Sequence, residues 1–158
     1  MGNVNFYGDM TVNESHLKES MWVVNPEIAD EFEAPEPYKR FMKILVDKEM
    51  FEDAPLCMTL VTYPPDAKCS PHSHREAVEI YYVLEGRLVA TVQRKPYHIE
   101  KGQLIYIPHG EEHYAENRED RVCRFLAIHV PGVSDVAEVK REWTKVSKES
   151  KKEGEPYA

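Results

Sequence analysis

The chain has 158 residues, 42% of them hydrophobic, enough for one domain with a real core and terminal segments to spare. A formal net charge of −8 argues against nucleic acid or an anionic membrane as partner, because both demand a basic footprint. No apolar run approaches the roughly 20 residues that span a bilayer, and the first residues show neither a basic nor an apolar secretion signal, so a cytoplasmic protein is expected.

Residues 1–37 read as an N-terminal extension. Pro26 can open a single helical turn after Asn25, and Pro35 and Pro37 block any continuation. Trp22, Val23 and Val24 are apolar enough to be expected against a sheet face, in this subunit or a partner. From Tyr38 onward the pattern changes to short runs rich in β-formers, at 41–46, 56–63, 78–84, 87–94, 103–107 and 122–130. Many short strands with turns and no helix between them predict an antiparallel sandwich or barrel over 38–132. Past Val130, Ser134 and Asp135 can cap a helix with Val136, Val139, Trp143 and Val146 near helical spacing, and a Lys-, Glu- and Ser-rich tail completes 133–158. Cys57, Cys69 and Cys123 are odd in number and scattered, which suits reduced thiols better than a disulfide framework.

The chemistry concentrates between Asp66 and Asn117. The first cluster holds His72, His74, Glu79 and Gly86; the second holds Gly102, Pro108, Gly110, His113 and Asn117. His72 and His74 stand two apart and share one face of an extended chain. Glu79, five beyond His74, has the wrong parity for one uninterrupted strand, so a turn or bulge over Arg75–Ala77 must re-aim the chain. Both faces of 78–84 are apolar, so something must cover the outer one, and a homodimer to which the extension contributes is expected.

These two clusters resemble the paired motifs of the cupins, G-x5-H-x-H-x3,4-E-x6-G and G-x5-P-x-G-x2-H-x3-N, with only the opening glycine replaced, by Asp66. Asp also serves turn geometry. The resemblance implies an all-β antiparallel jelly-roll barrel in which His72, His74, Glu79 and His113 hold one divalent ion. Three neutral imidazoles and one carboxylate suit Mn, Fe, Co, Ni or Zn and leave about two positions open on an octahedral ion. Tyr81 shares the parity of Glu79 and is the candidate catalytic or substrate-facing group, against a core tyrosine with its hydroxyl at the surface.

The other candidates rank below this set. His109 occupies a free turn position, His98 and His16 have no supporting context, Glu76 sits in the expected turn, and Cys69 reads as a buried thiol. His129 alternates with Phe125 and Ala127, so it faces either the pocket or a structural partner. Asn117 is read as structural. Three functions remain open: an enzyme acting on a small polar or carboxylated metabolite by oxygenase, isomerase, decarboxylase or lyase chemistry; a non-catalytic small-molecule sensor; and a metal-free barrel, disfavoured by the cost of converging ionisable groups in an apolar interior.

Overall fold

A computed structural model describes residues 22–132 and 135–147. Among them are ten strands and one α-helix: β1 (Glu31–Glu33), β2 (Phe41–Val46), β3 (Cys57–Tyr63), β4 (Val78–Glu85), β5 (Arg87–Val92), β6 (Lys95–Glu100), β7 (Leu104–Ile107), β8 (His113–Glu116), β9 (Cys123–Val130), α1 (Asp135–Glu142) and β10 (Thr144–Lys145). They form an antiparallel seven-stranded sheet, ordered β10-β1-β2-β3-β9-β4-β7, and a three-stranded sheet, β6-β5-β8. The fold is the all-β jelly roll that the motifs imply.

Alternation builds the interior. Along β9, Cys123, Phe125, Ala127 and His129 are buried while Arg124, Leu126 and Ile128 are only half so. The inward residues of both sheets meet in one cluster, with Val61, Val83, Phe125 and Ile107 from the large sheet and Leu88, Ala90, Ile99 and Ala115 from the small one. Gly86 turns β4 into β5 at φ +74; a Cβ there would stand 2.7 Å from the Val122 carbonyl oxygen. Gln93 and Arg94 both take positive φ, closing β5 onto β6 through the two-residue turn whose twist matches a hairpin.

Four strands, β1, β6, β8 and β10, lie outside the runs picked out above. β6, Lys-Pro-Tyr-His-Ile-Glu, is almost wholly exposed and carries Pro96, which an edge strand tolerates. β1 falls inside the expected extension and pairs with both β2 and β10, so the two ends of the described chain enter the same sheet. A second apolar cluster gathers Ala29, Ile44, Leu45, Met50 and Cys57 with Val136 and Val139 of α1, and Val24 and Trp143 pack on it. Trp22 and Val23 are exposed in this chain, at 64% and 49%. The helix ends at Glu142, so Val146 is not on it, and the expected capping residue Ser134 lies outside the described residues, as do His16 and the polar tail.

Candidate metal centre

The two motifs are joined through their backbones before any side chain meets. His72 and His113 exchange a pair of bonds, His72 N–H to the His113 carbonyl at 3.0 Å and His113 N–H to the His72 carbonyl at 2.8 Å. Gly110 N–H donates to the His74 carbonyl at 2.7 Å, Cys69 N–H to that of Ala115 at 3.1 Å, and Asn117 N–H to that of Ala67 at 2.8 Å. The chain bends at Arg75 and Glu76, where the parity of Glu79 requires it, and then enters β4. Asp66 takes φ +63, the left-handed backbone that a glycine would otherwise supply there.

This framework brings His72, His74, Glu79 and His113 together, one ligand atom from each lying within 4.8 Å of all the others. Glu79 Oε2 is 2.6 Å from His113 Nε2 and 3.2 Å from His74 Nε2. The Nδ1–H of His72 donates to the Ser70 carbonyl, and that of His113 to the Glu111 carbonyl, each at 2.8 Å. These bonds fix the ring orientations and reserve Nε2 for the shared centre, the usual device for presenting a histidine to a metal. Neighbouring ligands of an ion bonded at about 2.0–2.2 Å stand roughly 3 Å apart, so the spacing of the donors fits an ion as well as their chemistry does.

A fifth group enters from β9. Register sets His129 directly opposite Glu79, and its Nε2 lies 3.0 Å from Glu79 Oε1 and 3.3 Å from His74 Nε2. Its Nδ1 is 3.6 Å from the Cys57 thiol. Of the two roles open to His129, it takes the pocket-facing one. Strand parity alone could not show this, because the neighbour that engages it is chosen by the β4–β9 register.

The electrostatics follow from this crowding. Burial pushes the Glu79 carboxyl up, but hydrogen bonds from His113, His129 and His74 outweigh it and hold the group well below the usual carboxylate range. Burial pulls His72 down, yet Cys69 and the Ser70 carbonyl raise it to about 9. His129, likewise pulled down by burial, is raised to about 10 by Cys57 and Glu79. Tyr81 is buried, its ring 6.3 Å from that of His113 and 5.1 Å from that of Phe125. Burial first, then the charge of Glu79, keep its phenol well above the ordinary range, so it stays protonated and can donate a hydrogen bond.

The remaining candidates fall elsewhere. His109, His98 and Glu76 are exposed. Asn117 is fully buried, and its side-chain amide donates to the carbonyls of Tyr63, Pro64 and Arg121, pinning the loop around the second motif. Cys69 is buried against the cavity, where its sulfur accepts the Ala115 N–H at 3.3 Å.

The cluster opens into a cavity of about 370 Å³. Its walls include Val61, Phe125 and Ala127 from the barrel, Arg40 and Met42 from the edge, and Val136, Val139 and Trp143 from the C-terminal segment. The volume is near the lower end of the range for small-molecule sites, about 300–1,000 Å³.

Fold and site together define a small jelly-roll protein with a mixed imidazole and carboxylate centre at the base of a pocket. The family described as Cupin domain matches residues 59–129. An oxalate-binding protein of Thermotoga maritima is 30% identical over 87 residues, covering 55% of this chain and 72% of that protein. The crystal structure of a predicted oxalate decarboxylase from Thermotoga maritima superposes with a TM-score of 0.64 at 25% identity, covering 69% of this chain and 98% of that one. The HTH-type transcriptional regulator PuuR of Escherichia coli is 33% identical over 76 residues, 48% of this chain and only 41% of the regulator. The chain belongs to the cupin superfamily.

Proposed function

We propose that the protein binds one divalent ion of the Mn, Fe, Co, Ni or Zn group through His72, His74, Glu79 and His113, and acts on a small polar or carboxylated metabolite held beside it. The observation that carries this is the convergence of four donor atoms within 4.8 Å, with His72, His74 and Glu79 lining a cavity. Once bound, the ion supplies Lewis-acid or redox chemistry at its open positions. The chain supplies the rest. His129 holds Glu79 Oε1, the protonated Tyr81 phenol can donate a hydrogen bond to the bound group, and Val61, Phe125 and Ala127 exclude water around it. The similarity to an oxalate-binding protein supports a carboxylated ligand. Metal analysis of protein purified without added metal, followed by a substrate screen with and without oxygen, tests the proposal. Turnover that survives without oxygen removes the oxygenase branch, and absence of any bound transition metal overturns the proposal.

A non-catalytic binding module is the second reading, and the 33% identity to part of a transcriptional regulator favours it. Tight ligand binding with no chemical change across the screen selects it. We also infer a homodimer formed through the outer face of the large sheet, where Leu104 and Tyr106 are each 56% exposed beside Ile80 and Tyr82 of β4. Leu104→Glu should shift the mass seen in sedimentation from dimer to monomer. Three buried, unpaired cysteines support a reducing compartment such as the cytoplasm.

A further inference from the structure

The cavity beside the imidazoles is lined by one arginine and no lysine. Arg40 stands immediately before β2 and is half buried. Its Nη1–H donates to the Tyr38 carbonyl at 2.8 Å, and its guanidinium carbon lies 4.7 Å from the centroid of the Trp143 ring. One bond fixes an edge of the fork and the indole fixes a face. A guanidinium carries five N–H donors, so four are left without a protein acceptor among the described residues.

A cation serving only to hold the rim together would be expected to close on a carboxylate. Glu138 lines the same cavity, yet Arg40 forms no ion pair with it or with any other described residue. Trp143, which holds the guanidinium, directly follows α1, which supplies Val136 and Val139 to the wall. The C-terminal segment therefore both encloses the cavity and orients its cation. A planar fork held in place with free donors is suited to two parallel hydrogen bonds with a carboxylate.

We propose that Arg40 is the second anchor of the ligand, which is a small dicarboxylate: one carboxylate meets the metal centre and the other meets Arg40. This rests on the metal-dependent reading above and names its substrate class. Arg40 is a specificity residue, and Trp143 positions it.

The test uses the full chain loaded with Mn(II), with metal content measured in every sample. Calorimetric titrations compare oxalate, malonate, succinate and glutarate with the monocarboxylates of equal carbon number. At least one dicarboxylate should bind about tenfold or more tighter than its monocarboxylate, about the effect of one charge-assisted contact. In Arg40→Met that preference should fall to about twofold with the metal content unchanged, while Arg40→Lys, a point charge without the fork, should keep part of it. Trp143→Leu should lower the preference without abolishing it. If Arg40→Met fails to fold, Arg40→Lys and Trp143→Leu carry the comparison. Wild-type protein that takes up Mn(II) but binds both ligand classes equally overturns this inference alone, as does a preference that survives in all three variants. Wild-type protein that takes up no Mn(II) overturns the metal reading and this inference with it.

Discussion

Glu79 is the residue on which the centre turns, because both of its oxygens are already engaged by side chains from three other segments. Replacing His72 or His113 with Ala removes one donor each and should lower the metal found by elemental analysis, whereas His109→Ala, at an exposed position, should leave it unchanged. Equal metal in all three variants would contradict the donor set. His129→Ala should keep the ion but weaken its affinity by about 10–100-fold in competition with a chelator, because the partner that restrains the Glu79 carboxylate is lost. His129→Gln, whose amide can still donate, should recover part of that loss. Cys123 offers a test of a different kind. Burial raises its thiol from 9.0 to about 12, so between those values the unfolded chain loses a proton that the folded chain keeps. Stability from this group is complete below pH 9.0 and declines as pH rises toward 12. Melting curves of Cys123→Ala should show a shallower alkaline fall than wild type.

At the scale of elements, the turn from β4 to β5 is the tightest point of the barrel. Gly86→Ala must accept both φ +74 and a Cβ 2.7 Å from the Val122 carbonyl oxygen, which is backbone and cannot swing away. Such strain costs on the order of 1–3 kcal/mol, and denaturant unfolding should show a loss of at least that size. Strands whose residues alternate or are apolar on both faces, such as β3, β4 and β9, are legible in the sequence because burial on the inner face dictates their composition. β6 is not, since an exposed edge imposes no hydrophobic pattern and Pro96 reads as a break. β1 and β10 are strands of three and two residues held by the rest of the sheet, and no local preference marks them. The site divides in the same way. Spacing within each motif is visible in the chain, but Arg40 and His129 reach the cavity through strand register and the placement of α1, which no spacing records.

For the whole molecule, the arrangement explains how a short chain encloses a pocket. The jelly roll supplies two walls, and the C-terminal segment supplies a third by packing Val136 and Val139 against Ile44 and Leu45. Lys140 ties that segment down through ion pairs with Asp47, at 2.6 Å, and with Glu49. His113 stands on β8 at the edge of the small sheet, with His72 bridged to it, while Glu79 stands on a strand of the large one. An ion seated among them would be a rivet driven through both layers of the sandwich. Stripping it with a chelator should therefore do more than silence the pocket: limited proteolysis ought to cut the depleted protein sooner, and restoring the ion ought to lengthen its survival again.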